Sequence, residues 1–107
     1  MKNKIKFREI STGEEFEACQ LVIECFNEFV APYYSSDGIK EFLKYVNPDS
    51  IQERLTKNHF VLVAISGEAI VGIIEVRSKN HISLFFTNRR YQRRGIAKRL
   101  LKLAIEK

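Results

Sequence analysis

Nothing in these 107 residues stays apolar for long: the longest run, Phe60 to Ile65, is far shorter than a bilayer-crossing helix requires. Cysteine is also scarce. Cys19 and Cys25 stand six apart in a segment that reads as helix, which puts them on different sides and argues against a disulfide between them. Both are expected as reduced core or boundary thiols, because a nucleophile would need a nearby base and an electropositive setting, and neither is visible. Met1 to Lys4 carry the charge of a secretion signal, but Ile5-Lys6-Phe7-Arg8 supplies no apolar core behind them, so the expected compartment is the cytoplasm. There is no G-x-G-x-x-G after a first strand and no Gly-Lys-Ser/Thr, which removes two common phosphate loops. Repeats, linkers and low-complexity stretches are lacking too. One domain over residues 1–107 is expected, able to bury roughly 60 to 70% of its unfolded surface. With 45% hydrophobic and 29% charged residues, disorder and fibrous classes drop out.

What is present in excess is positive charge. The net charge is +5, and seven of the fourteen residues from Arg89 to Lys102 are basic. Three readings compete for that stretch: a solvated helix face, a clamp for the phosphates of a nucleotide cofactor, or a nucleic-acid surface. A phosphate-binding turn accounts for both the charge and the glycine at 95, whereas a helix lying on nucleic acid has no need of Gly95 at its start.

Taken in order, Ile5 to Ile10 alternates weakly and reads as a first strand. Ser11 to Glu14 and Thr12 to Glu15 form overlapping capping boxes, so a helix is expected there, with Phe16, Cys19, Ile23, Phe26 and Val30 as its core stripe, ending at Pro32. The loop from Ala31 to Gly38 follows; Phe26, Phe29, Tyr33 and Tyr34 could line a substrate pocket or simply pack. Ser36 or Asp37 caps a second helix with Ile39, Phe42, Leu43 and Val46 on one face. Asn47 stops it and caps a third, with Pro48 at its first position and Ile51 and Leu55 inward, to about Asn58. Phe60 to Ile65 and Ala69 to Arg77 form a hairpin around Ser66-Gly67-Glu68, and Gly72 marks a bulge or a close backbone contact. Ser78-Lys79-Asn80 then turns the chain into His81 to Thr87. In that strand, alternation puts Ile82, Leu84 and Phe86 on one face and His81, Ser83, Phe85 and Thr87 on the other.

After Thr87 comes Asn88-Arg89-Arg90-Tyr91, then Gln92-Arg93-Arg94-Gly95-Ile96-Ala97. From Gly95 the period becomes helical, with Ile96, Leu100, Leu103 and Ala97, Leu101, Ala104 as two adjacent apolar rows. Free amides and the positive end of the helix dipole make that turn a site for anions, with Arg93 and Arg94 beside it. The order strand, Gln92-x-x-Gly95-x-Ala97, helix resembles the acyl-coenzyme A motif of the GNAT superfamily of N-acetyltransferases. The setting sharpens the resemblance: Leu-Phe-Phe before the motif, Tyr91 next to Gln92, and a Leu-Leu helix after Gly-Ile-Ala.

The resemblance implies an α+β, GNAT-like fold of mostly antiparallel sheet flanked by helices, here without the family's C-terminal part. It implies an N-acetyltransferase that uses acetyl-CoA as cosubstrate, with no metal, on a small-molecule or peptide amine. Cofactor-binding residues would be Phe85, Phe86 and Thr87, whose strand would pair with the pantetheine arm, and Gln92, Arg93, Arg94, Gly95, Ile96 and Ala97, which would hold the pyrophosphate. An N–H near Phe85 would serve the thioester oxygen. His81, eleven residues before Gln92, resembles the register of the catalytic Glu of histone-acetylating members, and Glu75 is a second candidate base. An unperturbed imidazole titrates near 6.5, which suits a general base; a His at a solvated strand edge is the plain alternative. The Ala31 to Gly38 loop resembles the region that lines the acceptor site. An exposed motif strand would leave an edge for a homodimer partner. A non-catalytic coenzyme A binding module and, less in keeping with Gly95, a basic nucleic-acid binder are the alternatives; no membrane partner is implied.

Overall fold

The computed structural model describes residues 4–57, 59–78 and 80–107; Asn58 and Lys79, which the sequence reading assigned to a helix end and a turn, lie outside the described residues. Four strands, β1 (Ile5–Glu9), β2 (His59–Ser66), β3 (Ala69–Arg77) and β4 (His81–Thr87), form one antiparallel sheet in the order β1-β2-β3-β4. Helices α1 (Glu15–Phe29), α2 (Ser36–Tyr45) and α3 (Pro48–Leu55) follow β1, and α4 (Ile96–Glu106) follows β4. Short 3-10 turns occupy Ala31–Tyr33 and Arg89–Tyr91. This is the expected α+β architecture.

Both faces of β2 and β3 are covered, so these strands are apolar almost throughout rather than alternating. On one face Val61, Val63, Ile73 and Leu84 pack against Ala18, Val22 and Cys25 of α1 and Ile51 of α3. On the other, Leu62, Ala64, Val71 and Ile74 pack against Ile96 and Leu100 of α4. Gly72 shows why α4 can lie so close: a Cβ there would stand 3.0 Å from Ile96 and 3.2 Å from Leu100. The close contact anticipated at Gly72 is therefore between sheet and helix, and the β2–β3 register also slips beside it.

Several local expectations are corrected. α1 starts at Glu15, later than the capping boxes suggest: the Ser11–Glu14 box is half made, the Glu14 carboxylate accepting from the Ser11 N–H (2.8 Å) and from Arg8 (2.7 and 2.8 Å), but no side chain caps the helix itself. Its buried face runs through Ala18, Cys19, Val22, Cys25 and Phe26, while Phe16 is 64% exposed and so not core. Ser35, one residue earlier than expected, caps α2 by accepting the Gly38 N–H at 3.0 Å. Asn47 caps α3 as expected, accepting from the Ser50 N–H at 2.9 Å. In β4 the alternation is broken. Glu75 opposes Leu84 but Val76 opposes Ile82, so Ser83 is the extra residue of a bulge and Ile82 lies on the face opposite Leu84 and Phe86. Ala97 does not join a buried row either; it is exposed.

The Arg8–Glu14 pair leads to a pH prediction. The hydrogen bonds from Arg8, then the Ser11 N–H, hold the Glu14 carboxyl down at about 2, against 4.5 ordinarily. A depressed carboxyl stabilises the fold fully above its unfolded value and loses that contribution as the pH falls toward the folded one. For a surface pair the contribution is about 1 kcal/mol. Glu14→Gln is therefore expected to lower stability by that amount at pH 7 and to flatten the fall between pH 4.5 and 2; identical slopes for both proteins in that window would remove the pair's energetic role.

Candidate active site

The turn between β4 and α4 is held from three directions. The Asn88 N–H donates to the Val71 carbonyl of β3 at 2.8 Å, and its side chain accepts from the Arg90 N–H at 2.9 Å, which sets the 3-10 turn. Gln92 Nε2 donates to the Thr87 carbonyl at 3.3 Å, tying the turn back to the last residue of β4. The Cys25 thiol of α1 approaches that same carbonyl at 3.5 Å from inside. Arg93 and Gly95 both adopt left-handed backbone, φ +65° and +78°, on either side of Arg94. Such alternation of handedness curls successive N–H groups around a concavity suited to an anion.

Those N–H groups are open. Among the described residues, the amides of Arg93, Arg94, Gly95, Ile96, Ala97 and Lys98 donate to no protein acceptor, and the first that does is Arg99, to the Gly95 carbonyl at 3.0 Å. Of these residues all but Arg94 line a cavity of about 410 Å³, together with Phe85, Thr87, Tyr91 and Gln92. A Cβ added at Gly95 would meet nothing within 4 Å and so would project into open space at the turn. Lys98 borders the cavity, and the Arg94 guanidinium sits 5.0 Å from the Tyr91 ring centroid. Helix dipole, unpaired donors and cations thus converge on one concave spot, an arrangement that binds phosphate groups.

Seven of the nine cofactor-binding candidates line this cavity: Phe85, Thr87, Gln92, Arg93, Gly95, Ile96 and Ala97. Arg94 is turned to Tyr91 instead, and Phe86 faces the other layer, edge-on to Phe42 at 6.4 Å. Tyr91 and Lys98 were missed as lining residues, although both flank the motif. The two candidate bases lie outside the cavity lining. His81 opens β4 and is exposed. Glu75 is fully buried, and both its oxygens are taken by Arg54, Nε to Oε2 at 2.7 Å and Nη2 to Oε1 at 3.0 Å, with the Tyr45 hydroxyl 3.5 Å away. Cys19 and Cys25 are both free and buried; burial pushes each thiol up to about 11, which leaves neither a nucleophile at neutral pH.

The family model for the acetyltransferase (GNAT) domain matches residues 30–107. The chain belongs to the GNAT acetyltransferases. Its chemistry is acetyl transfer. This GNAT chain is 30% identical over 104 residues to the uncharacterized N-acetyltransferase YafP of Escherichia coli strain K12, covering 97% of the chain and 67% of that relative. Its fold matches the PaiA N-acetyltransferase of Thermoplasma acidophilum, solved in complex with coenzyme A, with a TM-score of 0.81 at 17% identity, over 96% of this chain and 70% of that one. An aminoglycoside acetyltransferase from an uncultured soil metagenomic sample, in complex with sisomicin, aligns with a TM-score of 0.62 at 18% identity, over 95% and 68% of the two chains. Among the described residues of the GNAT chain, no helix is long and apolar enough to cross a membrane.

Proposed function

We propose that the chain transfers the acetyl group of acetyl-CoA to a primary amine. The observation that carries this is the set of unpaired amides from Arg93 to Lys98 curled beside an open cavity. The fit to a diphosphate is good: the donors are free, Gly95 leaves room at the turn, and Arg93 and Lys98 add positive charge at the rim. In this reading Gln92, Arg93, Gly95, Ile96 and Ala97 hold the pyrophosphate, and Arg94 adds to the local field. Thr87 and Phe85 of β4 turn backbone groups to the open side of the strand, which pairs only with β3 among the described residues, whereas those of Phe86 between them point to β3.

Acetyl-CoA supplies an acyl group activated as a thioester. What the chain must add is a donor for the developing oxyanion, a backbone N–H near Phe85, and a route for the proton that leaves the ammonium. One such donor typically contributes about 3 to 4 kcal/mol. Of the two candidate bases, His81 is the one that solvent and a substrate can reach, whereas both oxygens of Glu75 are occupied. His81, four residues back along β4 from Phe85, therefore takes the proton through water, and Glu75 anchors Arg54.

Calorimetry with coenzyme A is expected to show binding, and an amine-acetylation assay with acetyl-CoA to show turnover. His81→Gln is expected to lower kcat by roughly 10²- to 10⁴-fold with coenzyme A affinity unchanged. Binding without turnover on any amine would leave only a coenzyme A module; no binding would end the reading altogether. A reducing, cytoplasmic setting fits the two free thiols, and residues 1–107 act as one unit in this reading. The open side of β4 also suits a second copy of the chain, and sedimentation showing only monomer at high concentration would exclude that pairing.

A further inference from the structure

The acceptor end of β4 has a charge pattern of its own. Three residues stand side by side across three strands: His59 of β2 opposes Arg77 of β3, which opposes His81 of β4. Directly opposed residues on neighbouring strands project to the same face. Arg77 fixes which face, since its guanidinium lies 5.7 Å from the ring centroid of Tyr45 in α2. This is the side of the sheet that carries Glu75, in the next row.

Glu75, the carboxylate in the row next to it, is not available to Arg77. Glu75 is closed off by Arg54, which also donates to the Tyr45 carbonyl at 2.8 Å and stacks 3.6 Å from the Tyr45 ring centroid. Among the described residues Arg77 forms no ion pair with any acidic side chain, and it is exposed. His59 keeps a buried Nδ1 that has no hydrogen-bond partner among the described residues. A guanidinium and two imidazoles thus stand in one row, with the nearby carboxylate already neutralised. Such a surface repels a polycation and attracts an anionic oxygen group.

We propose that Arg77, flanked by His59 and His81, forms a subsite for a carboxylate or phosphate carried by the acceptor amine. The inference rests on the acetyl-transfer reading and narrows its substrate to a zwitterionic amine. Geometry orders the pieces along β4. The diphosphate turn lies beyond Thr87 and the reacting acyl group near Phe85, and His81 is four residues further back, about 13 Å at the usual rise. Amine and anion are therefore separated by several bonds in the acceptor, with His81 between them. The same pattern sets this chain apart from an enzyme whose acceptor is an aminoglycoside, a polyamine with nothing to offer an unpaired guanidinium.

The test uses the whole chain with acetyl-CoA and two matched pairs of amines that differ in the anion: 5-aminopentanoate against pentylamine, and 6-aminohexyl phosphate against hexylamine. The expected result is a kcat/KM at least about 10-fold higher for the anionic member of one pair, as one charge-assisted contact supplies. Which pair shows it distinguishes carboxylate from phosphate. Arg77→Gln is expected to bring that ratio close to one and Arg77→Lys to retain part of it, with coenzyme A affinity the same in all three proteins. A preference for the uncharged amines, or a preference for the anion that survives Arg77→Gln, overturns the proposal. If none of the four is acetylated, titrating the two anionic amines into the protein in the presence of coenzyme A decides the matter: Arg77-dependent binding supports the subsite and its absence refutes it. Failure of the acetyl-transfer reading shows up separately, as failure to bind coenzyme A.

Discussion

Gly95→Val is expected to cost at least about 100-fold in coenzyme A affinity while leaving the protein folded. Two effects act together. A β-branched residue at φ +78° bears the strain of the left-handed region, of order 1 to 2 kcal/mol, and escapes it by rotating the peptide. Rotation turns the Gly95 and Ile96 amides away from the anion, and two lost charge-assisted bonds at about 1.5 to 3 kcal/mol each account for the loss of affinity. The new side chain adds bulk at the cavity, since no protein atom lies within 4 Å of its Cβ. Gly95→Asn, which tolerates left-handed backbone, is expected to lose much less. Calorimetry measures both, and valine binding as tightly as glycine would remove the phosphate role of the turn.

Arg54→Ala is expected to destabilise the fold by about 3 to 5 kcal/mol, a large part of what a small domain has. The substitution strands the Glu75 carboxylate, fully buried, without its partner. It also removes the contact to the Tyr45 carbonyl that links α2 and α3. Replacing both members with apolar residues of similar size, Arg54→Met with Glu75→Leu, is expected to restore most of the loss, because a buried ion pair contributes little net stability over a packed apolar pair. Urea denaturation measures the cycle. The double variant also tests the catalytic assignment: if it folds yet loses turnover, Glu75 does more than anchor Arg54.

Elements flanked by their own punctuation were legible from the residues alone. β3 runs from Ala69 to Arg77 as anticipated, because Ser66-Gly67-Glu68 before it and Ser78 after it are local signals. The turn was legible for the same reason: its glycine, its cations and the change of period all lie within a few residues of one another. What could not be read depends on partners distant in sequence. The bulge at Ser83 arises from β4's register on β3, so simple alternation sent Ile82 to the wrong face. Phe16 fits a stripe through Cys19 and Phe26 in the sequence, but the face of α1 that packs runs through Glu15, Ala18 and Val22 and leaves Phe16 outside it. Glu75 looked like a free carboxylate because its partner Arg54 is 21 residues away, and the Arg77 row exists only once three strands are laid side by side.

The missing side chain at Gly72 has a consequence for how such a protein can change. Ile96 is at once a plug in the interior and the first residue of the helix whose amides face the cavity. Any enlargement at position 72 pushes on Ile96, so thermal endurance and grip on the acyl carrier are geared to one another. Variants selected for hardiness by repacking this layer will shift the Michaelis constant for the donor, even though none of the altered atoms touches it.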